Sequence, residues 1–256
     1  MTTITAHSLS IGEKNLTCYT KPKMASTVIA WQGPSPVDGR EIILLLSAIV
    51  RESENRKTGD MVQAWILQSP KYGENPQLAY TLGHDVSICG NCPLRSIASG
   101  GNGVCYVNKS WLTKMYKGIE RGTVPTMSPF DIYLTKPLRQ GAYGDPAFVP
   151  LWVWEALESN GTGKGTSYTH QWRDYPELAQ WAMASVSSVA EAAEAQAMGF
   201  RTYRVDLDGT QPPIKGEIMC PFKALADTGL NCRSCGLCSG NRMSGAMSIV
   251  TKKSTA

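Results

Sequence analysis

The chain predicts an α/β fold: a partial (β/α) barrel or an open, mostly parallel sheet, with a β-rich N-terminal region and cysteine-rich metal-binding segments. Three observations carry this expectation. Apolar, β-branched runs mark residues 1–80; strand-like and helix-like stretches alternate after Phe130; eight cysteines fall mainly into two groups. The expected division is a β-rich part, 1–80, and an α/β part, 81–256, which are either separate or one continuous domain.

Thr27–Trp31 is a short strand candidate. Glu41–Val50 (EIILLLSAIV) and Met61–Leu67 (MVQAWIL) are two stronger ones, separated by the polar stretch Arg51–Asp60. They suit a hairpin with a long loop. Lys109–Lys117 has helical spacing of Trp111, Leu112, Met115 and Tyr116, and Gly118 supplies a stop. Phe130–Thr135 is expected as a strand, Pro150–Glu158 as a helix stopped by Asn160-Gly161, and Thr166–Trp172 as a strand. Tyr175–Met183 is expected to be helical, with Pro176 near its start. A strand at Ala184–Ser187 leads to Ser188-Val-Ala-Glu191, a capping box opening helix Val189–Met198. Arg201–Leu207 alternates Tyr203, Val205 and Leu207 against Arg204 and Asp206, and Met247–Thr251 makes a last strand. Strands and helices in alternation imply parallel pairing, and the units are too few for an eight-fold barrel.

Composition sets the class. Hydrophobic residues make up 42% and charged residues only 18%, with 24 glycines and 15 prolines in 256 residues. That describes a loop-rich chain with a packed core. A net charge of +4 permits nucleic acid or nucleotide partners without demanding them. No apolar run is long enough to span a membrane, and Met1–His7 lacks the basic and apolar regions of a signal peptide. The expected location is a reducing cytoplasm.

The thiols carry the chemistry. Cys220-Pro221 followed by Cys232-Arg-Ser-Cys235-Gly-Leu-Cys238 has the ingredients of a [4Fe–4S] site: three thiols two residues apart and a remote Cys-Pro. Gly236 and Gly240 give such a loop its freedom, and its N–H groups are expected to turn toward the cluster. Cys89-Gly-Asn-Cys92-Pro93, with Cys105, forms a second group whose fourth ligand is Cys18 or His84. One or two clusters are therefore expected. Zinc is the alternative, since it uses Cys-x₂₋₄-Cys pairs. Disulfides fit a chain of this length poorly, because it can bury its own core. Cys18 is also open to an inert, buried role.

Ligands of parallel α/β folds sit at the carboxyl ends of strands, which singles out two stretches. In Leu138-Arg139-Gln-Gly141-Ala-Tyr-Gly144-Asp145-Pro146, Arg139 suits a carboxylate or phosphate, and Gly141 and Gly144 allow close backbone approach to a ligand. Asp145 is either a base or the cap of the next turn. In Tyr168-Thr169-His170-Gln171-Trp172, the alternation puts Tyr168, His170 and Trp172 on one face. His170 is then a substrate acid or a core histidine. Gly161-Thr-Gly-Lys164-Gly-Thr166 fails as a phosphate loop, because Gly165 follows the lysine. Lys109, Lys114, Lys117 and Arg121 form a basic group or simply a solvated face.

Taken together, the Cys group ending Cys105-Tyr106, Arg139 with Gly144-Asp145, Tyr168-Thr169, and Cys220-Pro with Cys232-x-x-Cys235-Gly-Leu-Cys238 resemble a bacteriophage family typified by gene product eighty-eight of a mycobacteriophage. The likeness covers roughly Cys89–Cys238; the gap of twelve residues between Cys92 and Cys105 and the Tyr168–Trp172 stretch depart from it. It implies a phage-encoded protein in a bacterial host's cytoplasm and brings no activity with it. Three functions stay open. One is a redox or radical enzyme on a small molecule or nucleotide, similar in logic to radical S-adenosylmethionine enzymes but without their Cys-x₃-Cys-x₂-Cys spacing. Another is a non-enzymatic, metal-stabilised module that binds nucleic acid or a host protein. Simple electron transfer is the third.

Overall fold

The computed structural model describes residues 24–162, 165–206, 209–222, 226–240 and 248–252. Cys18, Lys164, Leu207 and Met247 lie outside them.

The fold is mixed α/β. A four-stranded mixed sheet runs in the order β1 (Val28–Pro34), β2 (Glu41–Ser47), β3 (Val62–Gln68) and β4 (Leu138–Tyr143). A second sheet is entirely parallel. It comprises β5 (Tyr168–Thr169), β6 (Met183–Val186), β7 (Thr202–Asp206), β8 (Glu217–Met219) and β9 (Ser248–Lys252), in the order β5-β6-β7-β9-β8. Neither sheet closes into a barrel among the described residues.

β2 and β3 pair antiparallel across the polar 51–60 stretch, as the hairpin expectation required. Both read as unbroken apolar runs because both are covered on two faces; Ile42 to Leu46 and all of β3 are buried. β4 then adds in parallel to β3. A bridge between Arg139 and Thr166 carries the hydrogen bonding from β4 toward β5, with Gln140 N–H donating to Thr166 O at 2.9 Å. The two sheets therefore meet edge to edge.

Six α-helices accompany the sheets among the described residues. They are α1 (Pro76–Leu82), α2 (Val86–Cys89), α3 (Lys109–Glu120), α4 (Leu151–Ser159), α5 (Val189–Ala197) and the single turn Cys232–Cys235. α4 buries Val153, Trp154, Ala156 and Leu157, a stripe of helical period, and joins the core of the β2 and β3 side chains.

Several sequence expectations need correction. Gly118 does not end α3. It lies inside the helix, where a Cβ would press on Val124 at 3.2 Å, and the turn comes at Gly122 with φ 64°. Phe130–Thr135 is not a strand. It opens with a 3₁₀ turn, Pro129–Asp131, and is tied to the end of α4: Leu134 N–H donates to Asn160 O, and Asn160 Nδ2 donates to Phe130 O. The strand expected over Thr166–Trp172 shrinks to two residues, since Gln171 N–H turns back onto Thr169 Oγ1. Tyr175–Met183 yields only a 3₁₀ helix, Pro176–Gln180, before β6 begins. At α5, Ser188 Oγ accepts from Glu191 N–H as a capping box requires, but Glu191 reaches back to the N–H of Ser187 instead of Ser188.

β7 holds the largest surprise. Its alternation is as expected, yet the polar side is the buried one, turned away from the cavity described below. Arg204 and Glu217 are both fully buried, joined by two hydrogen bonds of 2.9 and 2.7 Å. Arg204 also donates to Pro212 O and Gln211 Oε1, and Glu217 accepts from Ile214 N–H. The pair closes the loop between β7 and β8. Removing one partner strands a buried charge, so Arg204→Met or Glu217→Gln is expected to cost about 3–5 kcal/mol in urea unfolding. The double substitution Arg204→Met/Glu217→Leu is expected to cost less than either single one.

Candidate functional site

A cavity of about 980 Å³ lies against one face of both sheets. The period-two alternation of strands decides what reaches it. Trp65 comes from β3; Arg139, Gly141 and Tyr143 from β4; Tyr168 from β5; Ser185 from β6; Tyr203 and Val205 from β7; and Ile249 from β9. The intervening residues Gln140, Thr169, Ala184 and Arg204 point the other way and are buried.

Both thiol groups face this same cavity. Cys89, Cys92 and Cys105 line it from one part of the chain, and Cys220, Cys232, Cys235 and Cys238 from another. All seven are free and partly buried. At Cys89 and Cys238 the other thiols of the same group add to a rise in proton affinity that burial dominates. Burial is the larger cause: it pushes Cys89 well up and Cys92 and Cys238 up to about 12. A cation or cluster would be needed to hold such thiols ionised. Among the described residues, no three His, Cys, Asp or Glu side chains converge as a site for a single metal ion.

Each thiol loop is fixed by a cation that collects backbone carbonyls. Arg95 is buried and forks over the Cys89–Cys92 turn, donating to Gly90 O, Gly83 O and Asp85 Oδ1, each at 2.8 Å. Lys109 donates to Cys105 O at 3.3 Å and Val107 O at 3.0 Å. Arg201 donates to Leu237 O and Gly240 O, both at 2.7 Å, on either side of Cys238. Lys109 is therefore a buried brace and not part of a surface basic group; Lys114, Lys117 and Arg121 do stay exposed.

The Cys232–Cys235 turn is capped by Asn231 and ended by Gly236 in the left-handed region at φ 68°. It docks on the 55–60 loop, with Cys232 N–H donating to Lys57 O and Arg233 N–H to Thr58 O. The amides of residues 232–236 are thus consumed locally: Ser234, Cys235 and Gly236 donate to Asn231 Oδ1, Asn231 O and Cys232 O. The expectation that this turn's N–H groups converge on a cluster is not met.

Hydroxyls accompany the sulfurs instead. Tyr168 hydrogen-bonds its hydroxyl to Cys238, and Leu94 N–H donates to Cys92. The Tyr143 hydroxyl is buried with no hydrogen-bond partner among the described residues, and Cys89, Asp85 and Cys105 stand among the groups that, after burial, hold its proton on.

The remaining sequence candidates sort as follows. Arg139 reaches the cavity beside Cys232, where burial raises the thiol's proton affinity and Arg139 partly offsets it, and Arg139 has no carboxylate partner among the described residues. Asp145 is buried and acts as a cap and brace: its carboxylate accepts from Ala147 N–H, Thr169 Oγ1 and His170 N–H. Burial still raises it to about 6. The approach that Gly144 permits is to β3 and α2 and not only to a ligand, because a Cβ there would meet Ile66 Cβ at 2.6 Å and Ile88 O at 3.1 Å. Gly141 also has positive φ, and its missing Cβ makes room for Gly144 O and Pro146. Tyr168 and His170 share the cavity face, but Trp172 leaves it for the core. His84 pairs with Glu74 at 2.8 Å and does not line the cavity. His170 takes its place beside the first thiols, with Nε2 3.8 Å from Cys92 Sγ. Arg95, Arg201 and the Asp85 that pairs with Arg95 were missed by the sequence reading, and Lys109 was read there only as part of a basic group; the two arginines and the lysine act on backbone carbonyls, which leave no pattern in the sequence.

Comparison with protein-family models, curated proteins and solved structures finds no match to the chain. No helix among the described residues is long and apolar enough to cross a membrane.

The braces generate a direct expectation. Arg95→Met removes three charge-assisted hydrogen bonds and leaves Asp85 buried and unpaired, at a cost of about 3–5 kcal/mol. Cys89 and Cys92 are expected to react faster than Cys238 with a thiol reagent in that variant, and Arg201→Met is expected to reverse the order. Mass-spectrometric mapping of alkylated peptides checks both.

Proposed function

We propose that this chain is an iron–sulfur protein acting as a redox or radical-type enzyme on a small molecule or nucleotide held in the central cavity. One observation carries the reading: two groups of free thiols, remote in sequence, line the same cavity along the inward face of the sheets. A simple electron carrier has no need of such a chamber, and about 980 Å³ suits a metabolite-sized ligand.

The donor set supports a cluster over zinc. Structural zinc uses Cys-x₂₋₄-Cys pairs, whereas Cys232-x-x-Cys235-x-x-Cys238 sets three thiols in one run with a remote Cys220-Pro, the spacing of an iron–sulfur site. The orphaned Tyr143 hydroxyl beside Cys89 and Cys105 supplies a donor for a sulfur of such a group. In this reading Cys220, Cys232, Cys235 and Cys238 hold one cluster, and Cys89, Cys92 and Cys105 hold the other.

When bound, a cluster supplies one-electron chemistry. The chain's own residues do the rest. Arg139, with no carboxylate to neutralise it among the described residues, holds an anionic group of the substrate. Tyr168 donates to Cys238 and steadies negative charge on that sulfur. Trp65, Tyr203 and Tyr143 wall the chamber with aromatic surface and exclude water. The likeness of its cysteine motifs to the phage family supports a setting in a bacterial host's cytoplasm.

Protein purified without oxygen is expected to be brown, to absorb broadly at about 400 nm and to contain iron and sulfide. Zinc with no iron would overturn the reading. S-adenosylmethionine that leaves the reduced cluster's EPR signal unchanged removes the radical version and leaves the redox one. Chelation is expected to lower the melting temperature, because ligand–metal bonds contribute folding energy directly.

A second reading rests on the exposed Lys114, Lys117 and Arg121 of α3: a metal-stabilised module that binds nucleic acid. Its mark is binding that weakens steeply with salt and is lost when those three become glutamine.

A further inference from the structure

We propose that Arg139 and Lys57 form the seat of a phosphate monoester at the Cys232 end of the cavity. The inference rests on the reading above only in that the cavity takes a small molecule; it needs no metal.

Arg139 stands at the joint between the two sheets. On one side it is in register with Gln63 of β3, and on the other it bridges to Thr166. Its backbone is held from both flanks, and its side chain lines the cavity. Lys57 lines the same cavity from the 55–60 loop. Gln63 is the link between them. It is buried, and its Nε2 donates to Met61 O at 3.0 Å and to Thr58 Oγ1 at 3.5 Å, next to Lys57. The Cys232 turn holds the loop from the other side, with its amides on Lys57 O and Thr58 O. Both cations act on the Cys232 thiol, where they partly offset the rise in proton affinity that burial causes.

Neither cation is neutralised within the chain. Among the described residues no carboxylate lies within ion-pair distance of Arg139 or Lys57. Asp60, the acid of the same loop, is taken by Lys136 at 2.8 Å and Arg233 at 3.3 Å. Lys57 Nζ instead stands 6.0 Å from the ring centroids of Tyr106 and Phe222, which also line the cavity.

Two open cations match a dianion better than a monoanion. A phosphate monoester carries about −1.5 to −2 charges at pH 7 and has three acceptor oxygens. The guanidinium takes two oxygens as a fork, and the ammonium meets the third as a point charge. A carboxylate offers one charge and two oxygens, which Arg139 alone satisfies. The rings beside Lys57 offer flat surface to the rest of the ligand, so sugar phosphates and nucleotides are both sources of this phosphate.

Full-length protein purified without oxygen is titrated calorimetrically with adenosine monophosphate and with ribose 5-phosphate. At least one is expected to bind, and whichever binds tighter names the source. The phosphate methyl ester of that ligand, a monoanion, is expected to bind about tenfold more weakly. Arg139→Gln and Lys57→Gln are each expected to weaken binding about tenfold or more, with the iron content unchanged. Lys57 is an exposed residue, so its variant keeps the test if Arg139→Gln does not fold. Lys114→Gln/Lys117→Gln is expected to bind as the native chain does. Iron-containing protein that binds neither phosphate, that binds the methyl ester equally well, or that keeps full affinity in Arg139→Gln and Lys57→Gln overturns the inference and leaves the iron–sulfur reading intact. Phosphate binding through these two residues in protein that takes up no iron upholds the inference and overturns that reading.

Discussion

The site depends on cations that gather main-chain carbonyls. A thiol loop is a poor thing to fold: it is short, glycine-rich and turns its sulfurs toward a chamber, so little apolar surface anchors it. Its turns also leave carbonyls without amide partners. Arg95, Lys109 and Arg201 answer both problems at once, each satisfying at least two carbonyls around a cysteine. Such charge-assisted bonds contribute about 1.5–3 kcal/mol each, which is large beside what a few half-buried cysteines supply. The loops are therefore set by polar contacts, while the sheets beneath them are set by apolar burial.

The division of labour extends to the strands. Leu44, Leu45, Ile66 and Leu67 give a floor with no exposed surface, and that floor allows β4 and β7 to spend one side on polar work. On β7 the outer side seats the Arg204–Glu217 pair, while the inner side offers Tyr203 and Val205 to the chamber. A strand with a polar residue on each buried step would be unstable alone; here fork geometry and neighbouring carbonyls satisfy every charge.

Local signals were legible in the sequence and non-local ones were not. The runs Glu41–Val50 and Met61–Leu67, the helix stripe of α4 and the Ser188 cap are decided within a few residues, so they could be read directly. The two thiol groups were legible from spacing, though not that they share a chamber. Phe130–Thr135 misled because its alternating Ile132 and Leu134 pack inward without a strand partner. The burial of Arg204 left no mark in the alternation of β7, because its partner Glu217 belongs to another strand. The place of His170 depends on Asp145 folding back onto α2, a contact set by the missing Cβ of Gly144 as much as by the histidine itself.

The order of the parallel sheet constrains how the molecule is made. β9 lies between β7 and β8, although it follows both along the chain. The amide of Cys220, just past β8, donates to Val250 of β9. While the polypeptide is still emerging from the ribosome, β8 and the cysteine behind it thus have no seat in the sheet. Cys220 therefore gains its seat beside the other thiols of its group only once β9 is made, whereas the Cys232–Cys238 loop rests on the 55–60 loop and Arg201.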